Sequence, residues 1–211
     1  MSTPSHQSEL FAESGRCRID LCDAELLEFR AAFSATASKR YFASLLADVK
    51  WQSASIRIAG RHIPIPRLQS WVADPGLSYA YSGIIMTPEK WSKNLLEIRH
   101  RVEYLAGQSF NAVLINLYRD GNDSVAWHAD DEPELGPNPV VASVSFGADR
   151  PFELKHRHSE LKKRLTLHDG SVVVMGRTVQ NHWLHQLPKV KALREPRINL
   201  TFRRVVSSGS G

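Results

Sequence analysis

The sequence predicts an α+β fold in which helices precede an antiparallel barrel or jelly roll of short β-strands. Three observations support this prediction. Apolar residues at helical spacing occur before Gly107, whereas short apolar stretches separated by Gly, Pro, Asn or Asp follow it. With 211 residues, 42% of them hydrophobic, the chain can bury one good core and a small appended lobe. The sequence contains no internal repeat or low-complexity block.

Composition narrows the class of protein further. No apolar run reaches the roughly 18 residues that a membrane-spanning helix needs. The start, "MSTPSHQSEL", lacks the charged and apolar regions of a secretory signal. Two cysteines, Cys17 and Cys22, are too few for a disulfide framework. These features predict an intracellular protein, located in the cytoplasm of a bacterium or the nucleus of a eukaryote.

The charge balance is basic. Lys and Arg exceed Asp and Glu by 27 − 22 = 5, and the isoelectric point is about 9.4. This excess favours a polyanionic partner, nucleic acid first. The alternative is that the chain is one of many small basic proteins that bind nothing acidic.

The N-terminal elements follow from local patterns. Residues 1–20 are polar and are expected to form a flexible arm. A first helix is predicted from Asp23, with Leu26, Leu27 and Phe29 on its apolar side. A second helix is predicted around 41–49, where apolar side chains return to one helical face.

A hairpin and a third helix follow. "SASIRIAGRHIPIPRLQSW" predicts a hairpin that turns at Ala59-Gly60, with prolines that keep it away from a central sheet position. Thr87-Pro88 predicts the N-cap and first turn of a helix that runs to about Leu105.

After Gly107 the sequence predicts short strands in four apolar stretches: "FNAVLINLY", "PVVASVSF", "SVVVM" and "RINLTFRRVV". Between the second and third lies "KHRHSELKKR", an almost wholly charged run that predicts a solvated loop or hairpin tip. The final "VVSSGSG" predicts a flexible tail.

A histidine–acid pair in "WHADDEP" is the first candidate for chemistry. If His128 and Asp130 lie on a strand, their side chains share one face. With a distant second histidine they can bind one face of octahedral iron(II) and leave three positions open. The pair alone is weak evidence, since nine histidines and 22 acids in 211 residues predict roughly one such pair by chance. A competing pair, His158 and Glu160, lies in the charged run.

The third ligand would come from a later strand. His182 and His185, both in "NHWLHQLPK", are the candidates, whereas His156 and His168 flank the charged run and are expected at the surface. A single histidine is more often an ordinary polar residue than a ligand. The residues by themselves leave the choice between His182 and His185 open.

A second constellation lies in "PRINLTFRR". Spacing of two puts four polar side chains on one strand face, namely Arg197, Asn199, Thr201 and Arg203, while Ile198, Leu200 and Phe202 take the other face. Two arginines inside a barrel are costly unless an anion neutralises them. A dicarboxylate fits, because each guanidinium can hold a carboxylate through two hydrogen bonds. Alternatively, both arginines face solvent on a basic sheet.

Taken together, "NLYRDGNDSVAWHADDEPELGPNPVVASVSFGADRPFEL", "WLHQLPK" and "PRINLTFR" resemble the AlkB family of iron(II)/2-oxoglutarate dioxygenases, which repair alkylated nucleobases. The resemblance covers roughly residues 50–205 and is closest to the second and third human homologues of the family. It implies a double-stranded β-helix, or jelly roll, with an N-terminal nucleotide-recognition lid. It also implies three cofactors or co-substrates: Fe(II), 2-oxoglutarate and O2.

The resemblance assigns residues to the metal and to the co-substrate. The implied iron ligands are His128, Asp130 and His185, the last because the family's second histidine also stands just before a "-LP" dipeptide. The implied 2-oxoglutarate-binding residues are Asn116, Tyr118, Arg197, Asn199, Thr201 and Arg203. Arg203 is expected at the distal carboxylate of 2-oxoglutarate and Arg197 near the proximal one.

"PRLQSWVADPGLSYAYSG" resembles the lid and base-binding region of the same homologues. Five residues of this region are expected to bind substrate: Arg67, Trp71, Tyr79, Tyr81 and Ser82. Tyr81 would stack on a flipped base. Asp131 and Glu132, at the pocket rim, would read the positive charge of a methylated base; alternatively, they orient the iron ligands or are only solvated.

One departure concerns the hairpin tip. The duplex-specialised second homologue has an aromatic wedge there, whereas this chain has Ile58-Ala59-Gly60. A small Ala59 cannot fill the gap that a flipped base leaves in a duplex. Single-stranded DNA or RNA is therefore the expected preferred substrate.

The function implied by the resemblance is oxidative demethylation of bases such as 1-methyladenine and 3-methylcytosine, with release of formaldehyde. Alkylated DNA or RNA is the expected partner, and a monomer is expected. Two alternatives are a hydroxylase acting on a protein or small molecule, and a nucleic-acid-binding module with an inactive site. The expected division of the chain is a flexible arm, a region of helices and lid, a catalytic core and a flexible tail: 1–20, 21–106, 107–205 and 206–211.

Overall fold

The structure is a computed structural model that describes residues 15–58, 61–77, 79–81, 84–86 and 88–206. Its helices are α1 (Ala35–Asp48), α2 (Lys93–Ala106) and the short α3 (Val179–His182). The strands before α2 are β1 (Arg16–Leu21), β2 (Ala24–Phe29), β3 (Gln52–Ile58), β4 (Arg61–Ala73), β5 (Tyr79–Tyr81) and β6 (Ile84–Met86). The strands after α2 are β7 (Ala112–Tyr118), β8 (Val125–His128), β9 (Val141–Gly147), β10 (Arg150–His156), β11 (Lys162–Leu167), β12 (Val172–Met175), β13 (Trp183–Leu187) and β14 (Arg197–Arg203).

Two antiparallel sheets form the body of the fold. The larger has the order β1-β2-β12-β9-β14-β7-β4-β3, and the smaller has the order β11-β10-β13-β8. Strands far apart in sequence are neighbours, as where β14 lies between β9 and β7. This arrangement confirms the predicted α+β jelly roll. Strands β5 and β6 pair separately.

The central strands of the larger sheet are buried on both faces. One face packs against α1 and α2 in a cluster that includes Tyr41, Leu45, Ile98, Val102, Phe146 and Leu200. The other face meets the smaller sheet in a cluster that includes Tyr118, Phe152, Leu154, Val173 and Trp183. All seven residues of β14 are buried, so its polar side chains lie between the two sheets. The candidate site is in that space.

The N-terminal segment differs from the prediction at two points. The expected flexible arm over 1–20 is wrong for its last residues, because β1 begins at Arg16. The helix expected from Asp23 is also wrong, because β2 occupies Ala24–Phe29 and pairs with both β1 and β12. A run this short has no clear period, and two neighbouring strands supply the hydrogen bonds that decide its conformation. The expected boundary at residue 106, between the helix and lid region and the catalytic core, does not divide the sheets. Strands β1 to β4 lie before it but belong to the same sheet as β7 and β14.

The second helix and the hairpin are confirmed. α1 covers the predicted turn of apolar side chains and is capped by Ser34, whose hydroxyl accepts a hydrogen bond from the Ala37 backbone. β3 and β4 pair up to Ile58 and Arg61, and the predicted turn at Ala59-Gly60 lies outside the described residues. The prolines of β4 precede Leu68, where its pairing with the central strand β7 begins.

The helix predicted to start at Thr87-Pro88 starts later. Ser92 is its N-cap, and the Ser92 hydroxyl accepts a hydrogen bond from the Leu95 backbone. The chain between these points stays extended, because the Glu89 backbone N–H donates to the Trp71 carbonyl at 2.8 Å. This hydrogen bond to β4 prevents Glu89 from joining the helix, so the N-cap lies further along the chain, at Ser92.

All four strands predicted after Gly107 are present as β7, β9, β12 and β14. The middle of the charged run forms the tip of the β10–β11 hairpin, as predicted, whereas its two ends belong to the strands themselves. His156, expected at the surface, is instead largely buried at the end of β10. The sequence did not predict that β10 and β11 extend that hairpin into the smaller sheet. Within the described part of the chain, no helix is long and apolar enough to cross a membrane.

Candidate active site

A cavity opens between the two sheets and brings together most of the predicted site residues. Those that line it are Arg67, Asn116, Tyr118, His128, Asp130, His185, Arg197, Asn199, Thr201 and Arg203. They come from strands β4, β7, β8, β13 and β14 and from the segment after β8. Residues distant in sequence therefore converge on one buried space.

Three of these residues form a group with the composition of a metal site. His128 and His185 are directly paired across β8 and β13, and their ring centroids are 4.2 Å apart. Asp130 joins them, and one ligand atom from each residue lies within 4.8 Å of the other two. The structure thus places His185, and not His182, beside His128 and Asp130.

The position of Asp130 differs in detail from the prediction. Strand β8 ends at His128, so the two side chains do not converge through strand alternation. The Asp130 backbone N–H instead donates to the Gln180 side-chain oxygen at 2.9 Å. Gln180 is fully buried on α3, and it fixes the turn that carries the carboxylate. No local pattern in the sequence identifies Gln180 as part of the site.

The environment holds each group in the protonation state that metal binding needs. Burial lowers the pKa of His128, and burial together with His128 lowers the pKa of His185 to about 3. Burial acts to raise the pKa of Asp130, but the charge of Arg203, with smaller contributions from both histidines, outweighs it and brings the pKa to about 2. Neutral imidazoles and an ionised carboxylate are the ligating forms.

The hydrogen bonds around the histidines agree with this role. The Ala126 carbonyl lies 2.8 Å from Nδ1 of His128 and can only accept, so Nδ1 carries the proton and Nε2 keeps its lone pair. Nε2 of His185 faces Asp130 at 3.9 Å, too far for a hydrogen bond. Two imidazole nitrogens and one carboxylate oxygen on one side of a cavity fit the facial ligand set of iron(II).

Arg197 is a buried cation without a buried anion. It is 1% exposed, and its Nη2 donates to the Ser145 hydroxyl at 2.9 Å and to the Asn199 side-chain oxygen at 2.7 Å. Its Nε is buried without a hydrogen-bond partner, and no carboxylate of the described residues forms an ion pair with it. Burial lowers the Arg197 pKa to about 10, so the guanidinium remains charged at neutral pH. An anionic ligand would complete this environment.

Arg203 lies at the opposite end of the same strand face. Its Nη2 donates to Oδ1 of Asp130, which places it beside the metal-binding group. Arg197 is six residues before Arg203 on the strand, where it pairs with Tyr118 of β7. This spacing puts the Cα atoms of the two arginines roughly 20 Å apart. This geometry contradicts the expected order of the two arginines along 2-oxoglutarate, because Arg203, and not Arg197, lies beside the metal-binding group.

Other polar residues complete the lining. Ser143 donates to the Asn199 oxygen at 2.8 Å, and Asn199 donates to the Thr201 hydroxyl at 2.7 Å. Ser143 and Ser145 are two apart on β9, so they share a face. The alternation that predicts the arginine face of β14 also applies to these two serines, which were not among the predicted site residues.

The expected substrate-binding residues are only partly placed in the cavity. Arg67 lines it and donates to the Asn116 side-chain oxygen at 2.9 Å, so it supports a neighbouring residue there. Trp71 is 2% exposed in a separate cluster with Leu135 and Val205, which contradicts a direct contact with a base. The Trp71 side chain packs in a hydrophobic core cluster, as large aromatic side chains commonly do.

The remaining residues expected to bind substrate are not among those that line the cavity, or their side chains lie outside the described part of the chain. Asp131 accepts a hydrogen bond from Nη2 of Arg157 at 2.7 Å, and Glu132 precedes the short 3-10 helix Pro133–Leu135. The backbones of Tyr79 and Tyr81 belong to β5, but their side chains lie outside the described part of the chain, as does the whole of Ser82.

Comparison with known proteins agrees with this geometry. The family described as the 2OG-Fe(II) oxygenase superfamily matches residues 26–203. DNA oxidative demethylase ALKBH2 of Mus musculus is 37% identical over 190 residues, which are 85% of this chain and 80% of that protein. The Homo sapiens ALKBH2 is 42% identical over 161 residues, which are 72% of this chain and 62% of that protein.

A second group of similar proteins carries the name alkB homolog 3. The Homo sapiens alpha-ketoglutarate-dependent dioxygenase alkB homolog 3 is 38% identical over 177 residues, which are 79% of this chain and 61% of that protein. The chain thus spans less than two thirds of the length of both human relatives. The solved structure of OsALKBH1 has a TM-score of 0.63 and 14% identity, and the match covers 89% of this chain and 100% of that one. At that identity the likeness supports the fold alone.

The family match extends over most of the chain, including every strand that lines the cavity. Iron(II), 2-oxoglutarate and O2 are the cofactor and co-substrates of such oxygenases, and the buried histidine–aspartate–histidine group is suited to the metal. The sequence identities, the fold and this ligand set lead to one conclusion: the chain belongs to the AlkB family of 2OG-Fe(II) oxygenases.

Proposed function

We propose that this protein removes alkyl groups oxidatively from bases of DNA or RNA, acting as a monomer on substrates such as 1-methyladenine and 3-methylcytosine. The observation that carries the proposal is the buried His128–Asp130–His185 group in one cavity with the uncompensated cation Arg197. The names of the mouse and human relatives, DNA oxidative demethylase, support nucleic acid as the substrate class.

The three ligands have separate tasks. His128 and His185 present nitrogen lone pairs, and Asp130 supplies the negative charge that partly neutralises iron(II). Arg203 holds one oxygen of Asp130 and Gln180 holds its backbone, so the carboxylate is oriented before metal binds. When bound, iron(II) and 2-oxoglutarate supply the oxidation of the N-alkyl carbon by O2, with succinate and carbon dioxide as co-products.

The polar face of β14 positions the co-substrate. Arg197 would pair with the distal carboxylate of 2-oxoglutarate, since it has donors to spare at the end of the cavity away from Asp130. Tyr118, whose ring centroid is 5.4 Å from the Arg197 guanidinium carbon, lies beside that end. Arg203 contributes positive charge at the metal end, near the proximal carboxylate. The two charges thus match the two ends of a dicarboxylate.

Asp131 is the rim residue best suited to a cationic base. Its side chain is 53% exposed, and its partner Arg157 is 30% exposed. An ion pair this exposed contributes only about 0–1 kcal/mol. A methylated base with a positive charge can therefore displace Arg157 from Asp131, and the side chain would then read the charge of the lesion.

A preference for single strands follows from the hairpin tip. A base must leave the helix to reach a buried metal, which costs a few kcal/mol in a duplex. Stacking on an aromatic side chain such as Tyr81 returns roughly 1–3 kcal/mol, but alanine at position 59 offers nothing to fill the gap left behind. Bases that are already unpaired avoid most of that cost.

The test is iron-dependent succinate and formaldehyde release with a methylated oligonucleotide, an unmodified one and none. The proposal requires formaldehyde in a one-to-one ratio with repaired base, and only with the methylated oligonucleotide. Succinate formation that no oligonucleotide stimulates would instead indicate a protein or small-molecule hydroxylase. Oligonucleotide binding without any succinate would indicate a binding module with an inactive site.

A further inference from the structure

A second cluster of metal-binding side chains lies outside the active-site cavity. Cys22, Asp23 and His156 each offer one ligand atom, and these atoms all lie within 4.8 Å of one another. The Cys22 sulfur is 3.3 Å from an Asp23 carboxylate oxygen, and Nε2 of His156 is 3.8 Å from the same oxygen. None of the three residues lines the active-site cavity.

The histidine of this cluster is the unusual member. The His156 side chain is only 8% exposed, and its Nε2 is buried without a hydrogen-bond partner although it points at an exposed carboxylate. The separation of 3.8 Å is too long for a hydrogen bond but leaves room for an ion between the two groups. A buried ring nitrogen left in this way costs free energy unless something binds it.

Neighbouring contacts hold the three residues in place. Cys22 and Asp23 form the turn between β1 and β2, and the Trp183 indole N–H donates to the Cys22 carbonyl at 2.9 Å. His156 ends β10, and its ring packs edge-on against Trp183 with centroids 5.2 Å apart. Trp183 therefore fixes both sides of the cluster at a set separation.

We propose that Cys22, Asp23 and His156 bind a zinc ion, with solvent as the fourth ligand. Thiolate, imidazole and carboxylate are all zinc ligands, and zinc takes four of them in tetrahedral geometry. Cys22 and Asp23 are exposed, so an ion can reach the site from solvent. The site would join the β1–β2 hairpin of the larger sheet to β10 of the smaller sheet, which makes its role structural.

Binding releases the thiol proton of Cys22 to solvent and changes the tautomer of His156. Asp23 raises the pKa of the Cys22 thiol, so in the metal-free chain the thiol keeps its proton, which zinc must displace. Nδ1 of His156 accepts a hydrogen bond from the His158 backbone N–H at 3.2 Å, which leaves the ring proton on Nε2. Zinc at Nε2 moves that proton to Nδ1, and the contact with His158 is given up. His158 lies in an exposed turn, which can adjust.

Cobalt(II) distinguishes this site from the active site, since only a thiolate ligand gives the intense near-ultraviolet sulfur-to-cobalt absorption. We would titrate Co²⁺ into the chelator-treated full chain, then into Cys22→Ser, His156→Gln and the control Cys17→Ser, which changes the other exposed cysteine. The band should appear in the unmodified protein and in Cys17→Ser, vanish in Cys22→Ser and require at least tenfold more Co²⁺ in His156→Gln. One equivalent of Zn²⁺ should remove it.

Absence of the band from the unmodified protein, or its survival in Cys22→Ser, would overturn the proposal. A second measurement guards against variants that fold poorly. Zn²⁺ should raise the Tm of Asp130→Ala, which lacks a proposed iron ligand, but should not raise the Tm of Asp130→Ala combined with Cys22→Ser. Equal Tm shifts in both would also overturn the zinc site. Neither readout depends on demethylase activity.

Discussion

Replacing Arg197 by lysine should weaken 2-oxoglutarate binding strongly while the protein stays folded. Lysine keeps the positive charge but offers a point donor instead of the two-pronged guanidinium. It also cannot reproduce the donors that Arg197 presents to Ser145 and Asn199. A hydrogen bond to a charged group contributes roughly 1.5–3 kcal/mol. Loss of one such bond to the distal carboxylate should raise the KM for 2-oxoglutarate roughly 10- to 150-fold, because 1.4 kcal/mol corresponds to a factor of ten.

The assay is the initial rate of succinate formation against 2-oxoglutarate concentration, with saturating iron and methylated oligonucleotide. Titration calorimetry of 2-oxoglutarate would check that KM reports binding. Arg204→Lys is the matched control, because Arg204 is exposed at the end of the same strand and does not line the cavity. Its KM should be unchanged.

Arg203→Lys separates the two possible orders of the arginines. Because Arg203 holds Asp130, its replacement should reduce iron affinity and kcat more than it raises the KM for 2-oxoglutarate. If Arg203→Lys raises that KM more than Arg197→Lys does, the assignment of Arg197 to the distal carboxylate is refuted.

The other predictions concern the iron ligands, the substrate and the pH dependence of stability. Alanine at any of the three proposed iron ligands should abolish turnover with unchanged circular dichroism, whereas His182→Ala should retain it; loss of activity in His182→Ala would count against the ligand set. Single-stranded methylated DNA should show a higher kcat/KM than the matched duplex at one salt concentration, and Ala59→Phe should raise duplex activity selectively; equal rates on both would contradict the role of the small side chain. Asp131→Asn should reduce kcat/KM for cationic 1-methyladenine more than for neutral 3-methylthymine, and an equal reduction would exclude charge reading. Burial and a hydrogen bond to Glu97 raise the pKa of Tyr41 to about 12. Because the folded chain retains this proton to higher pH than the unfolded chain, up to about 3 kcal/mol of stability should be lost as the pH rises from 10 to 12. Urea unfolding of Tyr41→Phe should show a smaller decline over that range, and an identical decline would refute the assignment.

Sequence reasoning reached the candidate site because strand alternation is a local rule. The face of β14 with Arg197 and Arg203 could be deduced from spacing alone, and its register in the sheet bears this out. The choice of His185 over His182 could not, since it depends on the pairing of β13 with β8, more than fifty residues away in sequence. Only the resemblance to a family supplied that information.

The errors have a common physical origin. Leu26 lies in a short apolar run whose conformation is decided by pairing with β12, about 150 residues later in the chain. Pro88 is compatible with a helix start, but the backbone bridge between Glu89 and Trp71 holds the chain extended for a few residues more. Trp71 was predicted to contact substrate because it lies in a lid-like motif. The motif does not show which side of the sheet the ring packs against, and the ring lies in a buried cluster. In each case a distant contact outweighed a local preference.

The two faces of β14 have a consequence for how changes in this strand are tolerated. Loss or gain of one residue just before it would exchange the faces, since a one-residue slip turns each side chain over. Arg197 and Arg203 would then point into the hydrophobic core beneath α1 and α2, and Leu200 would point into the cavity and fill it. Point changes should behave differently, with alternation along the strand. At even-numbered positions they should lower the amount of folded protein, and at odd-numbered positions they should leave folded but inactive protein. A saturation library of the seven residues of β14, scored separately for protein abundance and for base repair, should show these two effects at alternate positions.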